Sequence, residues 1–255
     1  MLSLIDTYRS LCTEFYDLDK PFAPEDFLNY YLKEINKSAL TLPYTILEPM
    51  CGTGRFLIPI LEKGIDIEGT DASKEMLNSC LQKSRIKNLS STLYFQRLQE
   101  LSLSKKYSLI FIPSGSFGLI TAEDEVTESL KRLYEYLLPG GSLFLEISTP
   151  YIPSNTELTA IREVTRSNLS KIILITVTLF SSDTNIETTK CIYENIVNDV
   201  ATFTETEIIK IKHYHIKEFE DILKSTGFKN INALKPYSDE IATNVDENVL
   251  FKCMK

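Results

Sequence analysis

The period of the apolar positions changes several times along the chain, and each change marks an element. Ile46 and Leu47 form a short apolar run that ends on Glu48, after which Gly52, Thr53 and Gly54 turn the backbone. Arg55 to Lys63 then read as an apolar helical segment stopped by Gly64, and Ile65, Ile67 and Gly69 alternate into a second strand that delivers Asp71. Behind Ser73, which suits a helix cap, Met76, Leu77, Cys80 and Leu81 recur at helical spacing on one face. Thr92 to Gln96 is a third strand, and Tyr107 to Ile112 is an unbroken apolar run suited to the buried centre of a parallel sheet. Thr121 to Leu138 reads as a helix with Thr121 and Asp124 spaced as a capping box. Val126, Leu130, Leu133, Tyr134, Leu137 and Leu138 form its buried face, and Pro139-Gly140-Gly141 stops it before a fifth strand, Leu143 to Ser148. Strands alternate with helices, so this stretch predicts an α/β fold around a parallel sheet.

The flanks follow other rules. Residues 1–40 are helical and aromatic, with Pro24, Glu25 and Asp26 at a helix start and Tyr30, Tyr31 and Ile35 on its apolar side. Pro59 should bend the helix after the glycine turn, unless the residues before it still belong to the first turn. After Pro150 the alternation stops. Pro150 and Pro153 flank Tyr151 in a loop expected over the cleft, and Lys171 to Phe180, Ile186 to Val197 and Ala201 to His213 read as three β-branched strands with connections short enough to be antiparallel. Ile216 to Thr226 is a helix closed by Gly227, and Phe228 to Lys235 and Val249 to Met254 supply two last strands. The expected organisation is one domain over 1–255: a helical cover (1–40), a core (41–150), an antiparallel insert (151–213) and a completion of the core sheet (214–255).

Composition narrows the partners. The 255 residues are 43% hydrophobic and 24% charged, with a formal charge of −8, a pI near 5.0 and no local run of Lys and Arg. A long nucleic acid and a membrane surface are therefore poor partners. Five scattered cysteines without a C-x-x-C pair suggest neither a disulfide framework nor a zinc site. No apolar run reaches the roughly 18 residues of a membrane span. The expectation is a reduced, cytoplasmic protein. His213 and His215 are the only histidines, and no third ligand accompanies them, so no metal is expected.

The glycine turn carries the chemistry. Glycines between a strand and a helix let a ligand approach the backbone, the helix presents free N–H groups, and an acid at the tip of the next strand can accept hydrogen bonds from a ribose diol. A nucleoside ligand follows. A dinucleotide fingerprint would need a third glycine where Leu57 stands, so that pattern is broken. Instead, E-P-x-C-G-T-G-R, followed by Gly69, Asp71, Ser73, Met76 and Leu77 as G-x-D-x-S-x-x-M-L, resembles the first two motifs of the class I S-adenosylmethionine-dependent methyltransferases.

That resemblance implies a Rossmann-like three-layer α/β/α sandwich, a mostly parallel seven-stranded sheet whose last two strands form a reversed pair at its edge, and an antiparallel β insert near the C-terminal third. It implies S-adenosylmethionine as cofactor. Glu48 and the turn Cys51, Gly52, Thr53 and Gly54 would hold the methionyl end, with Tyr16 of the FYDLDK segment folded over it and Arg55 also in the cofactor site. Asp71 would bind the ribose, and Ala72, Met76, Leu98, Gln99 and Ile112 would complete the cofactor site. In related enzymes an acid after the third strand accepts from the adenine amino group; here Arg97 holds that place. Either Gln99 or Glu100 substitutes, or Arg97 points away and apolar packing holds the ring, or binding is weaker. Ser114, Ser116 and Phe117, with Tyr151, are candidates for the acceptor site, and Tyr16, Glu146 and His213 for a proton-transfer role. The expected reaction is methyl transfer to an N or O atom of a small molecule, with a homodimer contact through the insert. The alternatives are a methyltransferase acting on RNA or protein, and a non-catalytic S-adenosylmethionine-binding protein.

Overall fold

The computed structural model describes residues 5–150 and 157–255. Two helices lead in, α1 (Ser10–Asp19) and α2 (Glu25–Ser38). The core then runs β1 (Ile46–Pro49), α3 (Leu57–Glu62), β2 (Ile67–Asp71), α4 (Lys74–Ile86), β3 (Thr92–Phe95), β4 (Tyr107–Ile112), α5 (Glu123–Tyr136) and β5 (Leu137–Ser148). Four insert strands follow, β6 (Glu157–Thr165), β7 (Lys171–Ser181), β8 (Ile186–Val197) and β9 (Val200–Lys212). The chain closes with α6 (Ile216–Thr226), β10 (Lys229–Leu234) and β11 (Asn248–Met254).

The main sheet has seven strands in the order β10-β11-β5-β4-β1-β2-β3. Its first five strands in sequence are parallel, and β11 pairs antiparallel with both β5 and β10, giving the reversed pair at the edge. Strand alternation sends successive residues to opposite layers. Ile110 and Ile112 of β4 pack with Leu130 and Leu133 of α5 and Phe219 and Leu223 of α6. Leu109 and Phe111 of the same strand pack with Tyr31 and Ile35 of α2 and Leu57 and Ile60 of α3. The sheet is thus covered on both faces, as a near-continuous apolar β4 requires. Tyr31 stacks on Phe111 with centroids 4.5 Å apart, so the aromatic residues of α2 are core. Pro24 is the cap residue immediately before that helix, as its sequence predicts.

Three local expectations are corrected. The helix expected to reach Leu138 ends at Tyr136, and Leu137 already belongs to β5. Pro139-Gly140-Gly141 lies inside the strand and coincides with a register shift against β4, Gly140 taking φ +79°. The capping box at Thr121 does not form, because the cap residue is Ala122, with no side-chain cap bond. Pro59 meets the exception that the sequence reading allowed: α3 starts at Leu57, so the proline sits in its first turn, where its missing N–H has no intrahelical partner to lose.

The insert is a separate antiparallel sheet in the order β6-β7-β8-β9, with four strands where the sequence pattern marks three. The additional strand β6 is an edge strand exposed along nearly its whole length. One face of the sheet packs Ile172, Leu174, Cys191 and Tyr193 against Leu11, Cys12 and Phe15 of α1. Two glutamates of β9 fix that helix end: Glu205 accepts from the Leu11 and Cys12 N–H groups, both at 3.1 Å, and Glu207 from those of Tyr8 and Arg9 at 2.9 and 2.8 Å. Arg166 grips Glu14 with two bonds of 2.5 and 2.7 Å. The N-terminal segment is therefore bound to the insert, not only laid over the core sheet. Among the described residues no helix is long and apolar enough to cross a membrane.

Candidate active site

β1, β2 and β4 end at the same edge of the sheet, and the loops that follow them open into a cavity of about 600 Å³. Ligands of open α/β sheets sit beyond these carboxyl ends. Gly52 and Gly54 take φ +54° and +81°, the left-handed region that glycine enters without a Cβ penalty. A Cβ at Gly52 would meet only Met76 Sδ, at 3.9 Å, and Gly52 itself lines the cavity. At Gly54 a Cβ would meet Cys80 Sγ at 2.5 Å, away from the cavity wall. One glycine therefore leaves room for a ligand and the other lets the turn pack on α4.

Asp71 holds the turn together. Its Oδ2 accepts from the Gly52 N–H and its Oδ1 from the Ser73 N–H, each at 2.8 Å. Burial raises its pKa, and these backbone donors oppose the rise. Each carboxylate oxygen keeps lone-pair capacity for a further donor from the cavity. Ser73 caps α4 through Met76 N–H at 3.1 Å and donates its hydroxyl to Tyr8 C=O at 2.9 Å, tying the N-terminal segment to α4.

Glu48 lies at the floor. It is 2% exposed, its Oε2 has no hydrogen-bond partner, and burial lifts its pKa well above the usual carboxylate value. A buried, unpaired carboxylate oxygen facing a cavity is a site for a cation or donor. Tyr16 stands nearby, its phenol pKa raised by burial and drawn down by Arg55, whose Nε donates to Phe22 C=O at 2.9 Å.

Beyond β3 the wall is built from Ala72, Leu98, Gln99 and Glu125. Glu125, in the first turn of α5, accepts at Oε1 from Gln99 Nε2 at 3.0 Å, and Arg97 approaches the same oxygen at 4.0 Å. On the other side Ser114 and Gly115, at φ +59° and +67°, lead into a helical turn at Ser116–Leu119. Ile208, Ile209, Lys210 and Ile211 of β9 also line the cavity, as do Ile5, Thr7 and Tyr8, with Ile209 and Ile211 on the inward face of the strand. Gly118 permits the approach, since a Cβ there would meet Ile211 Cγ2 at 2.8 Å and Lys212 C=O at 2.9 Å.

The structure thus gathers Tyr16, Glu48, Cys51, Gly52, Arg55, Asp71, Ala72, Met76, Leu98, Gln99, Ser114 and Ser116 around one space. It does not bring Thr53, Gly54, Ile112 or Phe117 to the wall: Thr53 is 1% exposed, Ile112 is fully buried, and Phe117 packs edge-on against Phe219 at 5.7 Å. Glu146 is also behind the wall. It accepts from Ser114 N–H at 3.1 Å and from Tyr237 Oη at 2.8 Å, so it shapes the loop from below, and burial raises its pKa against those two donors. His213 is buried away from the cavity, with Nδ1 2.9 Å from Thr149 C=O, Nε2 3.4 Å from Glu187 and Phe180 against its ring. His215 caps α6, and no cluster of metal-binding side chains occurs among the described residues. Tyr151 lies outside the described residues. Sequence reasoning missed Tyr8, Glu125 and the β9 isoleucines; each reaches the cavity through tertiary packing, and only the acids in the first turn of α5 gave any local signal.

Residues 46–141 match the family model described as a methyltransferase domain. The chain therefore carries a methyltransferase domain over these residues, and its fold is that of the class I S-adenosylmethionine-dependent methyltransferases. A protein of Geobacillus sp. (strain WCH70), provisionally named a methyltransferase, is 22% identical over 250 residues, 98% of this chain and 100% of its own. The structure of an S-adenosylmethionine-dependent methyltransferase from Clostridium acetobutylicum ATCC 824 superposes with a TM-score of 0.78 at 17% identity, covering 94% of this chain and 96% of its own. S-adenosylmethionine-bound CalS10, an amino pentose methyltransferase from Micromonospora echinaspora, gives 0.71 at 12% identity, covering 98% of each chain. The residues of this methyltransferase fit its cofactor. The orphaned Glu48 oxygen suits the methionyl ammonium, the open side of Gly52 leaves space beside it, and Asp71 retains acceptor capacity at the neighbouring strand tip.

Proposed function

We propose that this methyltransferase transfers a methyl group to an N or O atom of a small molecule enclosed between the Ser114–Ser116 loop and β9. The observation that carries this reading is the cover. Ile209 and Ile211 of β9 and the residues Ile5, Thr7 and Tyr8 line a cavity of about 600 Å³ beside the loop, and close contact at Gly118 seats β9 there. A space of that size is of the order that holds small ligands. The net charge of −8 and the absence of a basic run favour the same class over RNA. A nitrogen acceptor is preferred, in keeping with a relative in fold described as an amino pentose methyltransferase.

S-adenosylmethionine, when bound, supplies an electrophilic methyl group on a sulfonium that departs as a neutral thioether. Glu48 would hold the methionyl ammonium and Asp71 the ribose, with Ala72 and Leu98 against the adenine. Ile209 and Ile211 with Leu119 and Ile120 would keep water from the acceptor, so alignment in a dry site supplies most of the rate. Tyr16 stays protonated because burial raises its phenol pKa, which makes it a hydrogen-bond donor to the acceptor and a poor base. An amine entering as its free base brings its own lone pair and needs no stronger base from the wall. The exposed strand β6 offers an unpaired edge for a second copy of the chain. The five buried free cysteines favour a reducing, cytoplasmic setting.

S-adenosylhomocysteine release should be measured with a panel of small amines and alcohols, with RNA, and with protein substrates. Turnover on an amine metabolite is the expected result. Turnover on RNA or protein alone would overturn the proposal, and cofactor binding without turnover on any class would favour the non-catalytic alternative.

A further inference from the structure

We infer that Glu125 reads the 6-amino group of the cofactor's adenine, replacing the acid that the loop after β3 lacks. In that loop Arg97 stands where the resemblance places a carboxylate, and the wall beside Leu98 would otherwise present no acid to the base. The fold supplies one from another element. The first turn of α5 packs on the helical turn Leu98–Glu100, which brings the Glu125 side chain to the cavity wall among Ala72, Leu98 and Gln99.

The side chain is oriented there by two neighbours. Gln99 Nε2 donates to Glu125 Oε1 at 3.0 Å, and Arg97 approaches the same oxygen at 4.0 Å. Both interactions fall on Oε1, which leaves Oε2 to receive a donor from the cavity. The 6-amino group of adenine is a donor with two hydrogens and the 6-oxo group of hypoxanthine is an acceptor, so a carboxylate at this wall favours the first and repels the second. Arg97 then has a role instead of being a defect: its positive charge holds the carboxylate that does the reading. Gln99 is a positioning residue in the same device, acting only through Glu125.

The test is calorimetric and needs no acceptor. S-adenosylhomocysteine and its 6-oxo analogue S-inosylhomocysteine are titrated into the wild type and into Glu125→Gln. The substituted side chain is partly exposed, and a thermal melt checks that the variant is folded. The wild type should prefer the adenosyl compound by at least about ten-fold, the scale of one hydrogen bond to a charged group. In Glu125→Gln that preference should shrink by about ten-fold, because an amide can donate to the 6-oxo group. Gln99→Leu should lower the preference by a smaller factor with binding otherwise retained. An unchanged ratio of the two affinities in a folded Glu125→Gln protein would overturn the inference even if both affinities fell. Failure of the wild type to bind either compound would overturn the cofactor assignment and this inference with it.

Discussion

Gly52 and Gly54 belong to one turn, and replacing each by alanine should produce opposite phenotypes. At Gly54 the backbone has φ +81° and an added Cβ would lie 2.5 Å from Cys80 Sγ and 3.0 Å from Ile58 Cγ1. Left-handed backbone costs an L-residue about 1–2 kcal/mol, and forcing a methyl into a packed interior costs about 1–3 kcal/mol. Gly54→Ala should therefore destabilise the protein by roughly 2–5 kcal/mol, or about 4–20 °C in Tm for a chain of this size. At Gly52 the φ of +54° carries the same kind of strain, but the Cβ would enter open space with Met76 Sδ 3.9 Å away. Gly52→Ala should lose only about 1–2 kcal/mol of stability while obstructing the nucleoside. Urea denaturation with and without saturating S-adenosylhomocysteine separates the two: Gly54→Ala shifts the unliganded midpoint, whereas Gly52→Ala chiefly abolishes the stabilisation by ligand. Cys80→Ala in the Gly54→Ala background should recover part of the contact cost and none of the backbone cost. A Gly54→Ala protein with an unchanged midpoint, or one that Cys80→Ala does not improve at all, would refute the packing argument.

Glu48→Gln should weaken S-adenosylhomocysteine binding by roughly ten-fold or more, since a bond to a charged group is lost, with calorimetry as the readout. The same variant has a pH signature. The folded-state pKa of Glu48 is raised, so the wild-type carboxyl costs no folding energy below its ordinary value of 4.5 and destabilises as pH rises above it through the folded-state value. Glu48→Gln should accordingly be more stable than wild type at pH 8 and should lose that advantage near pH 4, as thermal melts across that range will show. Glu205→Ala should leave the Leu11 and Cys12 N–H groups without their acceptor at a cost of about 1–3 kcal/mol, and limited proteolysis should then cut near α1 faster than in wild type; equal rates would count against docking of α1 by β9. Phe117→Ala should destabilise by about 3–5 kcal/mol because the ring is fully buried. Ser116→Ala, on the cavity wall, should leave Tm within about 2 °C while changing the KM of the acceptor, and steady-state kinetics beside a melt distinguish the two.

Local pattern carried most of the core. The unbroken run from Tyr107 to Ile112 reads as a central strand because both its faces are covered, and the observed β4 has the same limits. It failed at β6, whose exposed residues show no contrast between faces, and at the end of α5, where Leu137 and Leu138 continue a helical period but pair into β5. Candidate site residues followed the same division. Glu48, Gly52 and Asp71 lie within one strand-turn-helix-strand unit, so their convergence at the cavity is a consequence of local geometry.

Glu146 and His213 show what the sequence could not decide. Each lies near the end of a strand whose neighbours suit a cleft, yet the first bonds to Ser114 and Tyr237 behind the wall and the second to Thr149 and Glu187. Tyr8 and the isoleucines of β9 show the converse, since nothing in their own segments marks them, and Glu125 is marked only as one of three acids in the first turn of α5. The sequence by itself determined a nucleoside ligand and the succession of the core strands along the chain, because glycine conformation, strand period and the acid at a strand tip are properties of a few neighbouring residues, and the motif resemblance narrowed that ligand to S-adenosylmethionine. Only the tertiary structure decided what covers the cavity and which acid of α5 joins its wall. Those depend on contacts such as Glu205 with Cys12 or Glu125 with Gln99, between segments whose proximity comes from burying one shared apolar interior and not from any pattern within either segment.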